Sequence, residues 1–178
     1  LFGWRRKHHE QPHSISAVFL DELLRVDRIA FRLRHLGAVF QRAALLSNLT
    51  LVENLLLPLN LHCPELSLQA KLQRIHNIAR EFGFYNYLEW RTDRMSMGMR
   101  SLAGLARAVM NEPKYFIWDA PLFDVDRHWS KLVVEKLLEV KRSGATLILL
   151  TNRQEIIAQL ADRRFVLIAG SLGVESDA

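Results

Sequence analysis

Three polar side chains follow short apolar runs and are placed for chemistry. Gln41 closes residues 37–40, Asp119 closes residues 115–118, and Asn152 lies just past residues 145–150. Apolar runs of this length without strict alternation read as buried strands of a parallel sheet. In such sheets, ligands are held by residues just beyond the carboxyl ends of the strands. A fourth candidate is Ser96-Met97-Gly98, which opens a helical apolar stripe. The unpaired N–H groups and dipole of a helix start favour an anion. Ser96 would equally serve as a plain N-cap. Other reactive types carry less. Cys63 is the single cysteine and has no nucleophile's partner, so it reads as a small buried apolar side chain. His8, His9 and His13 lack the Cys or carboxylate pair that would complete a metal site, so they read as part of an exposed segment.

The elements that must position these residues can be read from periodicity. A short strand is expected at Val18-Phe19-Leu20 and another over residues 37–41, while residues 27–34 are mixed and charged. Thr50 with Glu53 three residues on forms a capping box, and the Leu-rich segment it starts ends near Pro58 and Pro64. Leu68, Leu72, Ile75, Ala79 and Phe82 form a helical stripe, capped by Ser67 and ended by Gly83. A helix runs from Ser96 to about Met110, with Met99, Leu102, Ala103, Ala106 and Val109 on its apolar face. Strand 115–118, a helix through Trp129, Leu132, Val133, Leu137 and Val140, strand 145–150, a short helix over 156–160 and a third strand over 164–168 follow. Strands alternating with helices predict an α/β fold, a mainly parallel sheet flanked by helices, with a small helical subdomain over residues 60–100 of a single domain.

Composition agrees with a globular domain: 178 residues, 49% hydrophobic and 24% charged, with no apolar run long enough for a membrane span. The net charge of +5 is concentrated in the first 42 residues. It reads as a solvated basic surface or proximity to an anionic membrane; nucleic acid is not an expected partner. The chain starts at Leu1 rather than Met, and polar residues follow Arg5-Arg6-Lys7 where a secretory signal would be apolar. The expectation is a piece of a longer protein that lacks its N-terminal part.

The ordered set of features resembles an ATP-binding-cassette (ABC) ATPase over most of residues 16–175. Gln41 matches the family's Q-loop glutamine, and Leu49-Thr50-Leu51-Val52-Glu53-Asn54-Leu55 resembles the segment that contacts the permease. Met95-Ser96-Met97-Gly98-Met99-Arg100 resembles the signature loop, and Leu105-Ala106-Arg107-Ala108 with Glu112-Pro113 resembles the helix after it. Asp119 matches the Walker B Asp, Asp126 the D-loop Asp, and Ala161-Asp162-Arg163 the run before the last strand. The Leu49–Leu59 segment and Met99 are most similar to Mla-type ATPases of phospholipid transport.

The resemblance implies ATP and Mg²⁺ as cofactors, with Gln41 and Asp119 toward the metal and Gln41, Ser96, Gly98, Asp119 and Asp126 toward nucleotide. Three departures alter that. No Gly-x-x-x-x-Gly-Lys-Ser/Thr run occurs, and none of the six lysines follows a Gly. Ala120 stands where the family has the Glu that polarises the attacking water, and Asn152 where it has a His at the γ-phosphate. Beside these three, the signature itself is half kept, with Met97 in place of a Gly where backbone approaches phosphate. The reading is a degenerate nucleotide-binding subunit without autonomous ATPase activity, structural or regulatory in a membrane, and by the subfamily likeness lipid, transport complex. Its partners would be a permease and an ABC ATPase forming a homo- or heterodimer, on the cytoplasmic face of the inner membrane. ATP and Mg²⁺ would then enter only through the missing N-terminal segment or a partner subunit. The alternatives are an active transporter ATPase seen as a fragment or mutant, and a soluble regulator with an ABC-like fold.

Overall fold

The computed structural model describes residues 25–41, 43–120, 125 and 127–174. Helix α1 (Arg25–His35) leads directly into strand β1 (Leu36–Val39). Helices α2 (Leu51–His62) and α3 (Leu68–Glu81), two single 3-10 turns (Tyr85–Tyr87 and Thr92–Arg94) and α4 (Met97–Val109) follow. Then come β2 (Tyr115–Asp119), α5 (Arg127–Arg142), β3 (Thr146–Leu150), α6 (Gln154–Leu160), β4 (Phe165–Ile168) and β5 (Ser171–Val174). The strand expected at Val18-Phe19-Leu20 lies outside the described residues.

β1, β2 and β3 form a parallel sheet in that order, with Val39 beside Trp118 and Trp118 beside Leu149. β2 is central, and it inserts Phe116 and Trp118 fully into the core. α4 packs on β1, α2 and α5. Because it is covered on several sides, residues 101–106 are buried all round rather than along one stripe. The core joins Leu51, Leu55 and Leu59 of α2 to Ile75 and Ala79 of α3, Leu102 and Leu105 of α4, and Val133 and Leu137 of α5. Each such buried Leu, Ile or Val side chain contributes about 1.5–3 kcal/mol.

Local sequence explains the helix boundaries. Thr50 Oγ1 accepts from the Glu53 N–H at 3.3 Å, and the Thr50 N–H donates to the Glu53 carboxylate at 2.7 Å, so the capping box is complete. Ser67 and Ser96 cap α3 and α4 by accepting from the Ala70 and Met99 amides, each at 3.2 Å. Gly83, at φ +75°, turns the chain out of α3 in a conformation that costs a glycine nothing.

Residues 27–34, read only as mixed and charged, are helical, within α1. α2 ends at His62, near Pro64 as expected, and runs through Pro58 because Leu51, Leu55 and Leu59, one turn apart, bury its face across the proline. Two readings are corrected by the structure. Leu68, placed on the packing stripe, is 62% exposed, while Ile78 takes a buried place on α3. The third strand of the expected parallel run, β4, instead pairs antiparallel with β5 in a separate two-stranded sheet. β3 alternates between partly buried and exposed residues, so among the described residues the parallel sheet is not fully covered at that edge. Among the described residues, no helix is long and apolar enough to cross a membrane.

Candidate functional site

The carboxyl ends of three adjacent parallel strands bring Gln41, Asp119 and Asn152 to one edge of the sheet. Gln41 stands two residues beyond β1, in a turn closed by the Ala43 N–H donating to the Phe40 carbonyl at 2.8 Å. Asp119 is the last residue of β2 and lies beside Leu150 in register. Asn152 follows β3, next to Thr151, whose Oγ1 accepts from the Arg153 N–H at 3.2 Å. All three side chains are exposed, as a ligand-facing edge requires.

Ala120 follows Asp119 with φ at +47°, in the left-handed region that favours glycine. Its N–H donates to the Leu150 carbonyl at 2.8 Å, which ties this turn to the end of β3. The side chain at this position is a methyl group. It can neither take a proton nor orient a water.

Ser96 belongs to a different element, the start of α4, and its hydroxyl is engaged by the Met99 amide. Gly98 is buried under α5: a Cβ there would lie 2.4 Å from Cγ of Trp129. In this chain its small size therefore has a packing reason. Met97 is exposed beside it. Asp126 lies outside the described residues.

The donor set at the strand edge fits a hard cation in part. Gln41 and Asp119 offer an amide and a carboxylate oxygen, the ligand type Mg²⁺ takes, but only two of its six positions. Among the described residues no group of three or more His, Cys, Asp or Glu could hold a metal by itself. A cation here would have to arrive with its remaining ligands, as a nucleotide-bound Mg²⁺ does. A cleft of about 230 Å³ lies elsewhere, near the amino ends of β1 and β2, lined by Leu36, Leu57, Leu61, Arg107, Asn111 and Pro113 among others. The Asn111 Oδ1 is buried without a hydrogen-bond partner. Burial lowers the pKa of His62, which also lines this cleft.

Sequence reasoning missed the residues that hold the site's backbone. Asn54 is 0% exposed on α2; its Oδ1 accepts from the Leu46 N–H at 2.9 Å and its Nδ2 donates to the Leu46 and Thr50 carbonyls at 3.0 Å. Thr92, also buried, donates to the Leu46 carbonyl at 2.9 Å. The available signal was a polar residue on the Leu51–Leu55 face of an otherwise apolar helix. In this Leu-rich segment Leu51 and Leu55 are core, whereas Leu46 is 46% exposed, as is Trp90 at 45%.

Comparison with known proteins gives a consistent family. A family model described as ABC transporter matches residues 8–123. The ABC transporter ATP-binding protein YxdL of Bacillus subtilis is 32% identical over 163 residues, covering 92% of this chain and 60% of the relative. The lipoprotein-releasing system ATP-binding protein LolD of Psychrobacter arcticus is 30% identical over 151 residues, covering 85% of this chain and 66% of the relative. The methionine import ATP-binding protein MetN of Histophilus somni is 29% identical over 140 residues, 78% of this chain and 40% of the relative. The chain thus spans about two thirds or less of the length of these curated relatives. A solved dimeric structure of the ATP-binding cassette MJ0796, in a post-hydrolysis state with ADP and Pi, superposes with a TM-score of 0.76 at 21% identity, covering 86% of this chain and 68% of that one.

Proposed function

Since the chain belongs to the ABC transporter family, we propose that it acts as the nucleotide-binding subunit of a membrane transport complex and that its own hydrolytic position is silent. The observation that carries the reading is the strand edge itself. Gln41 and Asp119 keep the family's metal-facing pair at the ends of β1 and β2, while Ala120 and Asn152 occupy the positions of the water-polarising acid and the γ-phosphate His. Asp119 and Gln41 would hold the Mg²⁺ of a bound nucleotide. Phosphate anchoring would come from another segment of the protein or from a partner subunit, since the 178 residues contain no phosphate-binding loop of the Gly-Lys-Ser/Thr type. Its role in the complex is then structural or regulatory.

The partner surface is the exposed apolar ground at Leu46 and Trp90, at the start of α2. Exposed apolar patches rimmed by polar residues mark interfaces, and both residues flank the Leu49–Leu55 segment, which resembles the family's permease contact. α3 and the 3-10 turns would make up the helical subdomain of residues 60–100, to which Trp90 belongs. The protein would lie on the cytoplasmic face of the membrane, paired with a second ABC ATPase domain, and phospholipid or lipoprotein is the cargo class favoured by the Mla-type likeness and the LolD relatives. A second reading has the same observation of partial length behind it: the whole protein binds and hydrolyses ATP through a loop outside these residues.

Membrane recruitment tests the subunit role. Leu46→Glu and Leu49→Glu are expected to release the protein from membranes and from co-purifying permease while leaving its melting curve in place. Retention on membranes by both variants would contradict it, and unfolding of both would assign these residues to the core.

A further inference from the structure

The backbone around Gln41 and the cap at Ser96 are joined by a closed ring of contacts on one face of α4. Arg100, Gly104 and Arg107 are spaced by four and three residues and so share that face. Arg107 Nη2 donates to the Ala43 carbonyl at 3.0 Å, and Gly104 lies so close beneath Ala43 that a Cβ would sit 2.8 Å from the Ala43 methyl. Ala43 and Ala44 are both left-handed, at φ +59° and +46°, a conformation that persists for alanine only when its surroundings enforce it. Three residues on, the Leu46 carbonyl receives both Asn54 and Thr92, and the Leu46 amide donates back to Asn54. The Thr92 carbonyl accepts from the Met95 amide at 3.3 Å. Arg100 closes the ring from α4, donating to the Met95 carbonyl at 3.0 Å and to the Asp93 carbonyl at 2.6 Å. Gln41 is two residues from Ala43, and Ser96 adjoins Met95.

We propose that Arg107 and Asn54 are positioning residues, locking the Gln41 turn and the Ser96 cap to one face of α4 so that the two move as a single body. This rests on reading Gln41 and Ser96 as nucleotide-facing, but the ring is testable without nucleotide. The Arg107 guanidinium is a strong tie because burial has stripped much of its water, which also lowers its pKa. Asn54 is buried with its amide oxygen and nitrogen both engaged, so it cannot let go of Leu46 without leaving polar atoms unpaired.

Residue-resolved amide hydrogen exchange on the purified chain tests the proposal. Arg107→Met keeps the aliphatic stem and removes the donors. It should raise exchange about tenfold at the Leu46 amide and also at the Met99 amide, which Ser96 caps on the far side of the ring, with β2 and α5 unchanged. Arg107→Lys should restore part of the protection. Faster exchange at Ala43 alone, or a uniform rise everywhere, would overturn it by reducing Arg107 to a local or global stabiliser. Should Arg107→Met fail to fold, Thr92→Val removes one hydroxyl from the ring at constant shape, and the Ala43 and Met99 amides must then respond together. Independent responses there also overturn the proposal. Failure of the ring would leave the assignment of Gln41 and Ser96 standing, whereas loss of nucleotide contact at those residues with exchange behaving as stated would refute only the functional reading.

Discussion

Ala120 carries the proposal of a silent hydrolytic position. The backbone there is left-handed, at φ +47°, where a Cβ is strained and a glycine is not. Ala120→Gly should therefore raise stability by up to ~1 kcal/mol, seen as a melting temperature higher by about 2–4 °C. A fall would show that the methyl group packs rather than strains. Gly98 makes the opposite case. Its missing side chain is the space Trp129 fills, so Gly98→Ala should cost about 1–3 kcal/mol through overpacking. An unchanged denaturation midpoint would show that α5 can withdraw freely from α4. Sequence alone placed Gly98 at a helix start that favours an anion; contact with a residue thirty-one positions away is invisible to local spacing.

At the scale of elements, the cap of α2 gives the clearest energetics. Thr50→Ala removes the acceptor for the Glu53 amide and should cost about 1 kcal/mol in thermal unfolding. The Thr50 N–H, and secondarily its hydroxyl, hold the Glu53 carboxyl below its usual pKa. A carboxyl depressed in the folded state stabilises above its unfolded pKa, and that contribution fades as pH falls through the folded value. Glu53→Gln should thus melt below the parent at neutral pH and converge with it in acid; a constant gap would exclude the carboxylate as the cause. This cap was legible because Thr-x-x-Glu is a local rule, and so were the Ser67 and Ser96 caps and the β2–α5–β3 alternation. α1 was not, since its Arg and His residues break up any apolar periodicity. The pairing of β4 with β5 was not either, because an apolar run gives a strand without naming its neighbour. The strand-edge placement of Gln41, Asp119 and Asn152 could be read from strand ends alone, whereas Asn54, Thr92 and Arg107 act through backbone carbonyls distant in sequence.

Across the whole molecule, the apolar surface is uneven. β4 leaves Leu167 and Ile168 about 70% exposed, and Ile148 and Leu150 on the edge strand β3 are about half exposed. Exposed apolar strands template association, so the purified chain should self-associate in sedimentation. Leu167→Lys should reduce that with little change in melting temperature; a large loss of stability would mean the hairpin is core. The ring on α4 and the strand edge enter one proposal, that of a scaffold in which Ala120 and Asn152 withhold the chemistry of an ATP site. General-base loss alone costs ~10²–10⁴ in rate. Phosphate release from Mg-ATP by the purified chain, measured beside its Asp119→Ala variant and a protein-free control, tests this most directly. The account predicts all three rates equal, and turnover above the control that Asp119→Ala abolishes would contradict it.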